Sequence, residues 1–432
     1  MKAYLQTFGC KVNSAETDSI SALLVQNGWE IAENPVQADA LIINSCTVTA
    51  SGDKRMFQAL KKLRKTAPDA VILLTGCYVQ AFPEEAEQIP EADIITGTKH
   101  RLQIPALLEQ YFENPQRISA VEQFVTGESF ESLPQGSDAG HTRAFLKIQD
   151  GCNRFCSYCI IPYARGRCRS RNLNEIYEEA QKLVKRGYHE IVLCGINLAC
   201  YGQDEGLDIA DAVKKTAESG IAQIRLSSLE PDGLTPEVLE KLSQIPQLLP
   251  HFHISVQSGC DKTLKAMRRH YTCAEYEALI KVLRQFFPRC AVTTDIMTGF
   301  PDETEEDFSE TLEFVKRVKF SQIHIFRYSP RSGTPAAKMK QIPEQIKKER
   351  SERLSQLSET LHKEYLQTCI GETHRVLFER QKSPEWHNGH AENYAVVLVS
   401  AKEGENFRNQ VFDVKITGIQ ENQLLGEIIH NG

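Results

Sequence analysis

Residues 144–162 read AFLKIQDGCNRFCSYCIIP. A strand candidate, Ala144–Gln149, runs directly into Cys152, Cys156 and Cys159, spaced C-x3-C-x2-C. Three thiolates on one loop can hold three irons of a four-iron cluster and leave the fourth iron open to an outside ligand. Zinc competes for such a loop, but a structural zinc site wants four ligands, often as two C-x2-C knuckles. No fourth Cys or His stands at knuckle distance, Cys168 coming closest. The bland alternative is three cysteines buried in a core. Phe155 and Tyr158 interleave the three and are placed to shield a cluster, which tunes its potential.

The strand-then-helix rhythm continues downstream. Strand candidates stand at Ile191–Cys194, Gln223–Ser227, His253–Gln257, Val292–Met297 and Gln322–Phe326. Helical spacing fills Leu173–Lys185, Pro236–Leu242, Cys273–Phe286 and Glu305–Val318 between them. Six β/α units predict a barrel, open because eight would close it. Pro343–Thr368 reads as a long charged helix packed on its outside.

Upstream, Lys2–Phe8, Leu41–Ile43 and Val71–Leu74 are short strands, with helices at Ser14–Gln26, Lys54–Lys65 and Gln103–Phe112. That is a small parallel α/β domain over 1–113. Residues 114–143, which include TGESFESLPQGSDAG, read as a linker or loose loop. After the central domain (144–371), residues 372–432 offer only short strands, at His374–Phe378, Tyr394–Val399, Val411–Gly418 and Leu424–Ile429, as expected of a small all-β barrel. The fold class expected is therefore α/β, in three domains.

A second cysteine trio lies in the first domain. Cys10 in TFGCKVN, Cys46 in INSCTVT and Cys77 in LTGCYVQ each end a short apolar strand. Adjacent parallel strands would bring those ends to one sheet edge, so that three thiolates converge on another cluster with an open iron. The alternative is three unrelated core thiols.

Composition bounds the rest. Of 432 residues, 41% are hydrophobic and 25% charged, which excludes a disordered or collagen-like chain. No apolar run reaches the ~18–20 residues a membrane span requires, and the N-terminus turns polar too early for a secretory signal. A cytoplasmic protein is expected. Thirteen cysteines without such a signal point to metal or redox chemistry rather than a disulfide framework. The net charge of −7 excludes a uniformly basic nucleic-acid coat. Locally, residues 151–174 hold Arg154, Arg165, Arg167, Arg169 and Arg171 and no acid. Arg165, Arg167, Arg169 and Arg171 are candidate phosphate grips for RNA at the barrel mouth, against the reading of a solvated loop or internal ion pairs. Residues 372–432 are net −3, no general footprint for RNA. His387 and His390 form H-x2-H in an expected loop, solvent-exposed rather than metal-binding.

The first loop resembles the signature of radical S-adenosylmethionine (SAM) enzymes. The series GCKVN, NSCTVT, TGCY, DGCNRFCSYCIIPYARGR, RLSSLEP, HISVQSG, TDIMTGFPDET and FRYSPRSGTPAA resembles the methylthiotransferase family of those enzymes over nearly the whole chain. The resemblance implies an N-terminal methylthiotransferase domain, a radical SAM domain and a TRAM-like barrel. It implies two [4Fe-4S] clusters and SAM as cofactors. Cys10, Cys46 and Cys77 would hold the auxiliary, sulfur-carrying cluster, and Cys152, Cys156 and Cys159 the radical-generating one. Gly195, Asn197, Ser228, Glu230 and Gln257, from their places at strand ends, and Asp295, within the fifth strand, are candidate SAM contacts. Partners implied are the anticodon stem-loop of transfer RNA and an electron donor such as flavodoxin or ferredoxin. GCKVN, NSCTVT, GCYVQ and PYARGR resemble the branch acting on N6-threonylcarbamoyladenosine at position 37. The alternatives are isopentenyladenosine in transfer RNA, a ribosomal-protein aspartate, or a non-catalytic iron–sulfur RNA-binding protein. A pocket for the threonylcarbamoyl carboxylate needs a cation or hydroxyl donor, for which Lys11, Thr47 and the arginines after Cys159 are candidates. One departure stands out: the family commonly has Gly where this chain has Asp302, a residue that tolerates turn conformations.

Overall fold

The structure, a computed structural model, describes residues 1–136, 141–381, 383–401 and 404–429. Its first layer is a parallel sheet in the order Glu30–Ile31, Lys2–Thr7, Ala40–Ser45, Val71–Gly76, Ile94–Thr96, Ile118–Ala120. The two central strands are buried along their whole length, as unbroken apolar runs in a parallel sheet require. Side chains alternate by face. Leu41, Ile43, Ile72 and Leu74 pack with Met56, Leu60 and Leu63 of the helix Ala50–Thr66. Ala40, Ile42, Val71 and Leu73 pack on the other side with Ile20 and Leu24 of the helix Lys11–Gln26 and with Ile104 and Leu108. Helices therefore cover both faces. The chain reverses its winding between Lys2–Thr7 and Ala40–Ser45, the crevice where ligands bind in open α/β sheets.

The sixth strand comes from the stretch read as linker, so the sheet reaches past residue 113. The rest of that stretch is no loose loop either. Leu133 is buried, Lys99 Nζ donates to the Gln123 carbonyl, and the Phe124 ring lies under Lys99 and Arg169. Gly136 lies so close to Asp18 that a Cβ there would sit 2.4 Å from its backbone carbon. The segment is a strap across the first two domains, because its few apolar groups and backbone acceptors find partners on both. Residues 137–140 of the expected linker lie outside the described residues.

The central domain has the six β/α units expected. Its strands form two parallel runs, Gln223–Leu226, Glu190–Cys194 and Ala144–Lys147 in one, and Ser228–Leu229, His251–Ile254, Ala291–Thr298 and Gln322–Arg327 in the other. The runs meet at Ser227 in one curled, open wall. Helices outside it bury one continuous core. The 26-residue helix Glu344–Cys369 ties this core to the next domain: Leu354 and Leu361 enter the central core, while Leu366 and Cys369 enter that of the C-terminal barrel.

That barrel is closed, from Thr373–Phe378, Trp386–Ala391, Val396–Ser400, Gln423–Ile428 and Val411–Gln420. The strand Trp386–Ala391 takes up the H-x2-H pair. His387 is buried against Phe407, with ring centroids 4.2 Å apart, and His390 is half-buried against Tyr394. The expectation of exposed histidines fails because barrel closure recruits a polar stretch, WHNGHA, as a strand.

Asp302 has φ +60°. It stands in the left-handed turn that starts the helix Glu305–Val318, whose Thr304 and Asp307 form a reciprocal cap. A short polar side chain tolerates this backbone, whereas a β-branched one clashes. Asp302→Val should destabilise the protein by about 1–2 kcal/mol, and Asp302→Gly should not destabilise it. Scanning calorimetry of the two variants checks this.

Candidate active site

Cys10, Cys46 and Cys77 follow three adjacent strands at the switch crevice, and each thiol lies within electrostatic reach of the other two. The glycines before Cys10 and Cys77 make the approach possible. Gly9 (φ +116°) could not carry a Cβ, which would meet Cys46 Cβ at 2.7 Å; at Gly76 (φ +102°) it would meet the Ser45 carbonyl at 2.4 Å. Side-chain amides lace the loops together. Asn13 Nδ2 donates to the Ser45 carbonyl at 2.9 Å and Asn44 Nδ2 to the Asn13 carbonyl at 3.0 Å. Ser45 Oγ donates to the Thr75 carbonyl at 2.6 Å and accepts from the Tyr78 amide at 3.2 Å. Burial, then the neighbouring Cys77, push the Cys46 thiol up to about 12. Thiolates here need a cation or metal to exist, and binding one releases protons.

Cys152, Cys156 and Cys159 stand on the loop after the first barrel strand. Burial lifts Cys152 to about 12 and raises Cys159 as well. The loop is anchored by the Ser157 amide on the Met267 carbonyl and Ser157 Oγ on the Ala266 carbonyl. Arg269 Nη1 donates to Cys156 Sγ at 3.4 Å while its Nη2 pairs with Glu230. Cys168 Sγ instead donates to the Gly151 carbonyl at 3.8 Å. Among the described residues, no group of three or more His, Cys, Asp or Glu side chains is drawn together at metal-holding distance. The donor sets suit clusters: three soft sulfurs each, with one arginine N–H on a sulfur.

The arginine stripe is corrected. Arg165 is 0% exposed and faces the first domain: Nη2 reaches Glu16 Oε2 at 3.0 Å and Asn13 Oδ1 at 3.3 Å, Nη1 pairs with Glu16 Oε1, and Nε donates to Cys77 Sγ at 3.2 Å. Arg171 is buried on Glu175 and Glu179, and Arg169 sits between Asp150 and Glu128. These are internal ion pairs, not phosphate grips: Glu16, Asp150 and Glu128 reach Arg165 and Arg169 from other segments, and Glu175 and Glu179 of the following helix cover Arg171. Arg167 alone stays exposed, its guanidinium 4.5 Å from the Phe155 ring and beside Tyr163, which is 49% exposed.

Glu16, Asn13, Arg101, Lys147, Asp150 and Arg269 were not singled out from the sequence. Glu16 carried one signal: it shares a helical face with Asn13, which stands three residues after Cys10. Burial would raise its carboxyl, but Arg101, Arg165 and Lys147 hold it down at about 2.

The candidate SAM contacts separate. Asn197 is buried and spent locally: its Oδ1 caps Ala199, its Nδ2 donates to Cys200 Sγ, and its backbone N–H bonds Gln149. Gly195 packs on Gln149, whose Oε1 a Cβ would meet at 2.8 Å. Glu230 lies beside the radical trio through Arg269. Asp295 Oδ2 accepts from Ser255 Oγ at 3.1 Å and is 3.3 Å from His253 Nε2. Gln257 takes φ +69° and is held by the Asp295 carbonyl; Ser228 is half-buried where the two strand runs meet.

Two further groups enter the open side of the barrel. Val12 packs on Val192 and Cys194, so the start of the first helix plugs the wall just after Cys10. Lys11 Nζ lies 5.4 Å from the Tyr394 ring, which Arg143 (5.2 Å) and Arg225 (4.7 Å) also face. Arg143 is paired with Glu379 and Arg225 with Glu190. Lys11 has no carboxylate partner among the described residues. Thr47 is spent: Arg331 covers it, bonding its carbonyl and hydroxyl together with Asp53 at 2.7 Å.

Residues 146–315 match the model of the radical SAM superfamily, and residues 2–97 that of uncharacterized protein family UPF0004. A threonylcarbamoyladenosine tRNA methylthiotransferase, MtaB, of Bacillus subtilis is 41% identical, over 95% of this chain and 92% of the relative. That of Aquifex aeolicus is 37% identical, over 87% and 92%. A tRNA-2-methylthio-N(6)-dimethylallyladenosine synthase of Carboxydothermus hydrogenoformans is 35% identical, over 96% of each chain. The solved radical SAM methyltransferase TsrM from Kitasatospora setae, with cobalamin and a [4Fe-4S] cluster bound, superposes with TM-score 0.57 at 14% identity over 78% of this chain and 77% of that one, a likeness of fold.

Anaerobic reconstitution should give about eight irons per chain, and the Cys152, Cys156 and Cys159→Ala triple variant about four; iron and zinc analysis reads both. The depressed carboxyl of Glu16 also has a consequence in acid. Because its folded value is about 2 against an ordinary 4.5, its stabilisation is complete above pH 4.5 and is lost as the pH falls toward 2. Glu16→Gln should flatten the acid limb of stability in that window, as followed by near-ultraviolet circular dichroism.

Proposed function

The chain belongs to the tRNA methylthiotransferases of the radical SAM superfamily, and from that premise we propose that it inserts a methylthio group at C2 of N6-threonylcarbamoyladenosine at position 37. When bound, SAM and the radical cluster supply hydrogen-atom abstraction from C2, and the auxiliary cluster supplies the sulfur. An aryl C–H is beyond ordinary side-chain acids and bases, so the protein's part is to hold and orient.

One observation carries the choice of substrate. Of the groups able to meet the threonylcarbamoyl carboxylate, Thr47, Arg165, Arg169 and Arg171 are spent inside the protein and Arg167 lies on the outer face of the first seam, while Lys11, with no acid partner among the described residues, stands beside Cys10, facing the barrel. A buried carboxylate left unpaired is costly, and a charge-assisted hydrogen bond from an ammonium removes that cost. The isopentenyl group offers no such charge. Glu230, Gln257, Ser228 and Asp295 remain the polar groups for SAM, around Cys152 and the strand ends; Asn197 and Gly195 shape the wall.

Arg167, Phe155 and Tyr163 face the solvent at the first seam, in a cleft of about 360 Å³ shared with Gln80, Phe124 and Pro162. Unpaired anticodon-loop bases stack on such an aromatic and guanidinium surface. Among the described residues, no helix is long and apolar enough to cross a membrane. A cytoplasmic setting and a one-electron donor of the flavodoxin or ferredoxin class complete the proposal.

Assay on transfer RNAs bearing either modification should show methylthiolation of the threonylcarbamoyl form. Methylthiolation of isopentenyladenosine alone would overturn the reading. Lys11→Gln should weaken binding of threonylcarbamoylated anticodon stem-loop by about 1.5–3 kcal/mol, the worth of a hydrogen bond to a charged group, and leave unmodified stem-loop unaffected.

A further inference from the structure

The charge balance around Cys77 does not close on carboxylates alone. Glu16 and Asp150 are the carboxylates of the buried seam. Against them stand Arg101 (3.0 Å to Glu16), Lys147 (2.7 Å to Glu16, 2.5 Å to Asp150), Arg165 and Arg169 (3.6 Å to Asp150). Four cations meet two carboxylates. Adding Glu128 also adds its partner Lys99, whose second partner Glu122 at 3.7 Å reduces the surplus to one. A buried surplus of positive charge is costly unless an anion faces it. The group it faces is Cys77 Sγ, through the Nε–H of Arg165 at 3.2 Å.

The orientation of that N–H is over-determined. Both terminal nitrogens of Arg165 fork onto Glu16, and Nη2 also meets Asn13 Oδ1, which itself accepts from Cys10 Sγ at 3.4 Å. Nε is left to point at the sulfur. Arg165 belongs to the radical domain, six residues after Cys159; Cys77 belongs to the first domain. The short helices Ile161–Arg165 and Cys77–Ala81 pack together, so the contact exists only when the two domains are docked. The radical trio has a counterpart in Arg269, whose Nη2 pairs with Glu230 and whose Nη1 lies on Cys156 Sγ at 3.4 Å.

We propose that Arg165 is a positioning residue that sets the reduction potential of the cluster held by Cys10, Cys46 and Cys77, through its hydrogen bond to the Cys77 sulfur. Hydrogen bonds to cluster sulfurs and local charge are among the protein's levers on that potential. A cationic donor stabilises the reduced, more negative cluster, and Glu16 opposes it. The inference rests on the assignment of that trio as a cluster site, which the iron count tests separately.

The experiment is a potentiometric titration, read by electron paramagnetic resonance, of protein carrying only the auxiliary cluster (Cys152, Cys156 and Cys159→Ala). Arg165→Lys keeps the charge but loses the Nε donor, and should shift the midpoint to more negative values. Glu16→Gln removes the opposing charge and should shift it to more positive values. In protein carrying only the radical cluster, Arg165→Lys should leave the midpoint unmoved. A role in folding alone would move both variants together or neither, so an unshifted midpoint in either, or equal shifts of both clusters, overturns the proposal. Should Arg165→Lys hold no iron, Glu16→Gln decides alone, by a positive shift or its absence.

Discussion

The buried carboxylate of Glu16 organises the first domain seam. It is fully enclosed, and an enclosed carboxylate persists only if cations come to it. They come from three places: Arg101 from its own domain, Lys147 from the first barrel strand, and Arg165 from the loop of the radical trio. Satisfying one charge therefore fixes how the two domains meet. Arg165 lands beside Cys77, and the helix that starts at Lys11 plugs the open barrel wall. Arg331 makes a second clasp by covering Thr47 and Asp53, and the strap from Glu122 to Gly136 covers the same junction.

The two cysteine trios reach similar arrangements by different routes. In the first domain the three cysteines are dispersed over 68 residues of chain, and parallel register at a winding reversal gathers them. In the second they share one loop, and spacing alone gathers them. Each trio then receives one guanidinium N–H on one sulfur and a glutamate that orients the guanidinium. The chain from Cys159 to Arg165 spans no more than about 20 Å, so the second trio and the wall of the first are covalently close. Electron transfer and group transfer between two sites both need such closeness, and loosely docked domains would not hold it.

The C-terminal barrel is attached by the same kind of contact. Arg225, buried against Glu190 in the barrel wall, also donates to the carbonyls of Ala391 and Glu392, and Tyr394 follows them into the cationic ring that contains Lys11. Together with the shared helix Glu344–Cys369, this makes the third domain one wall of the site's surroundings. Its overall acidity is no obstacle, because the face it turns inward is ringed by the cations of the other two.

Much was legible in the sequence. Cysteine spacing marked both trios, unbroken apolar runs marked buried parallel strands, and the β/α rhythm marked an open six-unit barrel. These signals are local: each depends on residues within one element or on the period of its side chains. Asp302 in its left-handed turn belongs with them, since a short polar residue between a strand and a capped helix announces the turn. The fate of the charges was not legible. Arg165 and Arg171 sat in an acid-free run and read as open to phosphate, yet the carboxylate of Glu16 is 149 residues away from Arg165 in the chain and beside it in the fold. His387 and His390 read as loop residues until barrel closure made a strand of them. The sequence by itself determined which elements form and which sulfurs lie at strand ends, because burial and backbone geometry act over a few residues. Only the tertiary structure decided which cations are spent and which, like Lys11 and Arg167, remain for a ligand, because Coulomb pairing in a buried seam depends on distance through space and not along the chain.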